Sequence, residues 1–348
     1  MIKVGILGCG SITKFRHAPE YANNQQVEIA AFYDTNKNRA EELASIYGGK
    51  VAETYEEIFN DPEITAISNC LPNNLHYKTT IEALKSDKHV LCEKPMTGDL
   101  NEAKEMVEVS QSTGKILMVD HNQRFAEAHK KAKEILKSGE LGRVLTFHTV
   151  FGHKGPEYWS ENKTKGTWFF NKEQSILGVA GDLGIHKIDL IRYILEDEIE
   201  YVTAMEGTLD KKDENGDLVK VSDNMICTLK TKTGIIGNAT FSWTYYGEEK
   251  NYTMLFCEKG IMRIYDNPEY DLIVEKLNGE KVFYKVGKLQ TNDNQTSTGI
   301  IDEFIEAIIQ NRKPLITGED GLEALKVILA AIESASSHKS VRISKANG

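Results

Sequence analysis

Along the first 120 or so residues, short runs of consecutive apolar, largely β-branched positions alternate with longer amphipathic stretches. The runs fall at residues 2–7, 27–33, around Val51, 64–70, 89–92 and 116–119. Helical patterns lie between them at 15–23, 36–47, 55–59, in a stretch opened by His76, and at 99–112. Strands alternating with helices predict a parallel sheet.

From about residue 123 the pattern changes. After a helix expected at 125–137, residues 143–151 alternate strictly, with Val144, Thr146, His148 and Val150 on one face and Leu145, Phe147, Thr149 and Phe151 on the other. Further strands are expected at 224–231, 235–243, 252–256, 261–265, 270–276 and 281–286, separated by turns such as Asn278-Gly279. Helices at 300–310 and 319–336 and a last strand at 341–343 close the chain. The expected architecture is α/β followed by α+β: a dinucleotide-binding domain over residues 1–122, then over residues 123–348 a domain on a large, mostly antiparallel sheet. Helices covering one side of that sheet leave an open face that meets water or another subunit. The expectation is a homo-oligomer, a dimer or tetramer, associating through that face.

Composition narrows the class. With 348 residues, 40% hydrophobic and 27% charged, the chain suits a soluble globular enzyme of two domains. A formal net charge of −10 argues against nucleic acid or an anionic membrane as partner, because phosphates would be repelled; a small-molecule substrate remains. Cys9, Cys70, Cys92, Cys227 and Cys257 are odd in number and never spaced as paired ligands, so they read as reduced thiols, and no metal is expected. Met1 leads directly into Ile-Lys-Val-Gly-Ile-Leu without a signal-like segment, and no run of 18 apolar residues occurs, which points to a cytoplasmic protein.

Chemistry concentrates where strands end. The first strand runs into Gly8-Cys9-Gly10-Ser11-Ile12-Thr13, a strand, glycine turn and helix of the kind that brings backbone amides up to a pyrophosphate. Thr13 stands at the third glycine position and should loosen the helix–strand packing there. The second strand ends in Asp34, spaced to accept hydrogen bonds from an adenosine ribose and to repel a 2′-phosphate, which favours NAD over NADP; capping of the next helix is the other reading. Leu71-Pro72-Asn73-Asn74-Leu75-His76 and Glu93-Lys94-Pro95 follow later strands. Both belong at the crevice, although His76 also suits a capping or core role and Glu-Lys-Pro a solvated turn. Asn122-Gln123-Arg124-Phe125 follows the last strand of the first domain. Finally, Gly178-Val179-Ala180-Gly181-Asp182-Leu183-Gly184-Ile185-His186 is a small-residue turn entering a helix. Residues four apart share a helical face at about 5–6 Å between Cβ atoms, so Asp182 can orient or charge the His186 imidazole; a surface contact is the plain alternative.

The order of these motifs resembles the Gfo/Idh/MocA oxidoreductases, the family of glucose–fructose oxidoreductase and inositol 2-dehydrogenase, and the likeness covers nearly the whole chain. It implies that Lys94 bonds the reacting hydroxyl, that Asp182 and His186 form an acid/base dyad, and that the Lys94–Pro95 bond is often cis. The residues themselves suit that chemistry: oxidising a secondary alcohol with NAD needs a base, here His186, and a donor to the developing alkoxide, here Lys94. Arg124, His153, Trp159 and Trp168 are candidates to stack on a sugar or pair with a carboxylate. Thr13 and the Trp168-Phe169-Phe170 stretch depart from the commoner family pattern. Two other functions stay open: a glycosidase that oxidises a ring carbon only transiently, and a non-catalytic nucleotide-binding regulator.

Overall fold

A computed structural model of the chain describes residues 1–160, 163–289 and 297–343. Among them the apolar runs of the first domain form one sheet, built from β1 (Ile2–Leu7), β2 (Val27–Tyr33), β3 (Lys50–Val51), β4 (Ala66–Asn69), β5 (His89–Cys92) and β6 (Leu117–Val119) in the order β3-β2-β1-β4-β5-β6. Every pairing is parallel. Strand order reverses between β1 and β4, so the turns after Leu7 and Asn69 diverge and leave a crevice at their carboxyl ends, where α/β sheets bind ligands.

Thr13 does not loosen the first turn. It is fully buried, and its hydroxyl donates to the Gly8 carbonyl oxygen at 2.6 Å. The chain leaves the glycine turn through a widened π turn, Thr13–His17, before the α-helix Ala18–Asn23, which accommodates the side chain.

The second sheet comprises β7 (Val144–Gly152), β8 (Ile199–Gly207), β9 (Asn224–Thr231), β10 (Ile236–Ser242), β11 (Lys250–Cys257), β12 (Gly260–Ile264), β13 (Leu272–Lys276), β14 (Lys281–Tyr284) and β15 (Val341–Arg342), in the order β14-β13-β12-β11-β7-β10-β9-β8-β15. All neighbours are antiparallel except β7 and β10, which run parallel. β8 was not expected from sequence: its outward positions, Thr203 and Met205, lie on the uncovered face, which hides the apolar run. The helices Ile185–Leu195 and Gly318–Ser337 cover one face, burying Val202, Cys227, Leu229 and Phe241. On the other, Met205, Ile226 and Ile236 are each at least 51% exposed.

One helix from beyond residue 123 packs on the first sheet. The helix Ile300–Ile309 belongs to the first domain by packing: Ile300, Ile301, Phe304 and Ile305 share a core with Val4, Ile6 and Tyr21. Glu20 accepts from the Thr298 backbone and Asn24 donates to Asp302 across the same seam. Apolar residues on this helix outweigh chain order in deciding which sheet it covers.

Candidate active site

The carboxyl ends of the first sheet and the second sheet where β7 ends and β11 begins enclose a cleft of about 320 Å³, within the range of small-ligand sites. Its dinucleotide side is built by the turns. Gly8 adopts φ +87° with its missing Cβ 2.5 Å from the Cys70 carbonyl oxygen, so no side chain fits there. Gly10 lines the cleft with nothing within 4 Å of its would-be Cβ, leaving the open space a pyrophosphate needs beside Ser11 and Ile12. Asp34 stands at the edge of this turn, accepting from the Cys9 amide at 2.7 Å and from the Asn36 amide at 2.7 Å, so it anchors the turn without capping the helix Lys37–Tyr47 that follows.

Leu71, Asn73, His76 and Asn122 also line the cleft. His76 is buried, with Nδ1 2.8 Å from the Pro95 carbonyl oxygen and Nε2 2.7 Å from that of Leu71, so it pins together the turns that follow β4 and β5. Gly8, Asp34 and Pro72 are not among the lining residues. Pro72 instead precedes the helix Asn73–Lys85, its carbonyl accepting from Leu75 at 2.9 Å.

Glu93-Lys94-Pro95 is not a solvated turn. Glu93 is buried, its carboxylate accepting from Arg16, from His17 Nε2 at 3.1 Å and from the Lys94 amide at 3.1 Å. Burial opposes its ionisation, but the Arg16 guanidinium and His17 overcome that and hold the carboxyl well below the usual range. Arg16 is itself clamped by Asp120 at 2.5 Å. The Lys94–Pro95 bond is cis. This buried frame aims Lys94 at the second domain, where its ammonium donates to Asp182 Oδ1 and to the Asp182 carbonyl oxygen, each at 3.0 Å.

Asp182 therefore does not orient His186 as expected. The Ala180–Gly184 segment is a π turn rather than α-helix, and both carboxylate oxygens are engaged, Oδ1 by Lys94 and Oδ2 by Trp243 Nε1 at 3.0 Å. His186, 8% exposed, faces the cleft with its Nδ1 buried and without a protein partner. Burial first, then the nearby Lys94 charge, push its pKa well below the ordinary imidazole value, so the neutral form prevails. His153, also in the cleft, is likewise pushed down by burial, to about 4.

Arg124 does not reach the site. It is buried in a fork–fork pair with Asp189, at 2.8 and 2.6 Å, and also donates to Asp320 at 2.9 Å. Its neighbour Gln123 lines the cleft instead, because Asn122–Phe125 is a 3-10 turn that points successive side chains in different directions. Trp168 is in the cleft wall, its ring stacked 3.9 Å from Phe169, with Trp159 4.9 Å beyond. Sequence reasoning missed Arg16, Gln123, Glu249 and Asn251; only Gln123 carried a signal, through the motif beside it.

A parallel dinucleotide crevice opposed by a broad antiparallel sheet, with lysine, carboxylate and neutral imidazole at their junction, defines a two-domain nicotinamide-dependent oxidoreductase. Residues 2–121 match the family model described as "Oxidoreductase family, NAD-binding Rossmann fold", and residues 129–263 match the GFO/IDH/MocA C-terminal domain. The chain belongs to the Gfo/Idh/MocA oxidoreductase family, and its first domain binds NAD. It is 25% identical over 349 residues to myo-inositol 2-dehydrogenase of Thermotoga maritima, covering 100% of both chains. It is 30% identical over 202 residues to D-glucoside 3-dehydrogenase of Escherichia coli K12, covering 56% of this chain and 54% of that one. Levoglucosan dehydrogenase in complex with NADH and levoglucosan shares the fold at a TM-score of 0.88 and 23% identity, covering 99% of this chain and 100% of that one. Among the described residues no helix is long and apolar enough to cross a membrane.

Proposed function

We propose that this chain oxidises a secondary alcohol of a sugar, polyol or related hydroxy compound with NAD, and reduces the matching ketone in the reverse direction. His186 takes and returns the hydroxyl proton, Lys94 hydrogen-bonds the reacting oxygen, and Asp182 holds Lys94. The observation that carries this reading is the convergence of a buried, neutral imidazole and a fixed ammonium on one cleft.

A neutral imidazole is the form that accepts a proton, and His186 is kept in it by burial. Of the three N–H groups of Lys94, two are directed at Asp182, which leaves one for an oxygen acquiring negative charge. Trp243 fixes the far oxygen of Asp182, so the lysine has a rigid counter-ion rather than a mobile one. Bound NAD supplies the hydride acceptor. The open space at Gly10 suits its pyrophosphate, and Asp34 favours NAD over NADP.

The test is reduction of NAD with a panel of sugars and polyols, followed by His186→Ala. Turnover should fall by roughly 10²-fold or more while the NAD dissociation constant stays within a few-fold. An active His186→Ala protein overturns the assignment, and glycoside cleavage without net NADH moves the chain to transient-oxidation glycosidase chemistry. The same reading has copies of the chain associate as a dimer or tetramer through the exposed Met205, Ile226 and Ile236 face; a monomer by light scattering overturns that part.

A further inference from the structure

Next to His186 stands a buried residue that the mechanism above does not use. His121, just past the end of β6, is 1% exposed and is not among the residues lining the cleft. Its ring is nearly perpendicular to that of His186, at 81° with centroids 6.5 Å apart. Among the described residues neither Nδ1 nor Nε2 of His121, nor Nδ1 of His186, finds a hydrogen-bond partner. Buried polar atoms are met by protein groups or by ordered water, and a gap walled by unmet ring nitrogens is polar enough to hold one. A single water spans two imidazoles at this spacing.

The polar groups continue beyond His121. Its Nε2 lies 3.9 Å from Asp189 Oδ1, too long for a hydrogen bond but within reach of a small ring movement or a bridging water. Asp189 is held by Arg124, which also holds Asp320, and the Asp320 side chain is 27% exposed. His186, His121, Asp189 and Asp320 thus lead from the cleft to the surface. The charged groups that bear on His121 are Asp189, Arg124, Asp320 and Asp120; burial outweighs the carboxylates and pushes its pKa below the ordinary imidazole value. The neutral ring has one nitrogen that accepts and one that donates, as a proton relay requires.

We propose that His121 passes the proton taken by His186 to the Asp189–Asp320 cluster and solvent while cofactor and product still occupy the cleft. This rests on the reading of His186 as the base of an alcohol dehydrogenase. A filled cleft excludes water, so the proton needs a way out that does not cross it. The alcohol O–H breaks and its proton goes to His186, while the C–H bond breaks and hydride leaves with its electron pair for NAD. His186 then releases the proton on Nδ1, and His121 takes one proton on one nitrogen as it loses another from the second. One proton reaches solvent, and both rings end neutral. Reduction of the ketone runs the same path inward.

Stopped-flow mixing tests this with the sugar or polyol that reduces NAD fastest, in weak buffer with a pH indicator. NADH absorbance reads hydride transfer and the dye reads proton release. In the unaltered protein the two signals should rise together. In His121→Phe, which keeps a ring in the space and removes both nitrogens, release should lag NADH by roughly 10-fold, because the proton stays on His186 until product leaves. His121→Gln keeps a donor and an acceptor but passes no proton, and should show the same lag where the phenylalanine variant fails to fold. Release that already lags in the unaltered protein, or keeps pace with NADH in either folded variant, overturns the relay and leaves the dehydrogenase reading intact. Equal slowing of both signals, the mark of a purely structural role, does the same. If no compound reduces NAD, the dehydrogenase reading fails, and nitrogen NMR of isotopically labelled histidine decides the link separately. His186 Nδ1 at the shift of a hydrogen-bonded nitrogen in the unaltered protein, and of a free one in His121→Phe, upholds it; the same shift in both overturns it.

Discussion

Replacing Lys187 with methionine should make the protein more stable, and the reason lies in where the lysine has been put. Its side chain is 0% exposed, its Nζ has no hydrogen-bond partner, and its nearest aromatic face is Phe151 at 6.0 Å. Burial drives its pKa from 10.5 down to about 7, with Glu249 opposing, and its charge in turn helps burial push His129 down to about 3. The unfolded chain binds this proton up to about pH 10.5, whereas the folded chain releases it near 7. Between those values the unfolded state holds more protons, so stability rises with pH across that window and is lowest below it. A gap of about 3.5 units at 1.36 kcal/mol each is on the order of 5 kcal/mol, an upper figure for what removing the amine recovers. Methionine keeps the stem, and imperfect fit of the thioether reduces the expected gain to about 2–4 kcal/mol at pH 7. Urea unfolding at pH 7 and pH 9 provides the check. The gain of Lys187→Met should be large at pH 7 and shrink toward pH 9, because the unaltered protein gains stability over that range and the variant does not. A variant less stable than its parent at pH 7, or pH slopes that run parallel, refutes the reasoning.

Lys94→Met should lose at least about 10²-fold in turnover, the scale of one removed oxyanion donor; near-normal turnover in a folded variant would leave His186 acting without it. Arg124→Met should cost about 3–5 kcal/mol by leaving buried Asp189 without its fork–fork partner, and KM measured below the melting range should stay within a few-fold. A large rise in KM with unchanged Tm would instead put Arg124 in the substrate site. Asp34→Ser combined with Thr35→Arg should weaken NAD and admit NADP, read from the two dissociation constants; tighter binding of NADP than NAD by the unaltered protein would show that Asp34 does not select the cofactor.

Much of the fold was legible because it rests on local pattern. Unbroken apolar runs between amphipathic segments favour interior strands flanked by helices, and alternation along 143–151 favours a sheet with one covered face, although the register slips between Val144 and Thr146. The glycine turn, Lys94 and His186 were legible for a related reason, since each sits at a strand end or helix start where topology must deliver it to the crevice. Chain order hid the rest. Nothing in residues 300–309 says which sheet that helix covers, and only packing against Val4, Ile6 and Tyr21 assigns it. The partner of Asp182 was equally hidden: local spacing pointed to His186, whereas Lys94 comes 88 positions earlier and Trp243 reaches the carboxylate from the second sheet. Likewise Arg124 and Gln123 are neighbours in one motif, yet one is locked into a buried ion pair and the other faces the cleft. Periodicity along a chain determines which face of an element is apolar; which remote charges and hydrogen-bonding groups meet is decided only when desolvation in the assembled core forces each to find a partner.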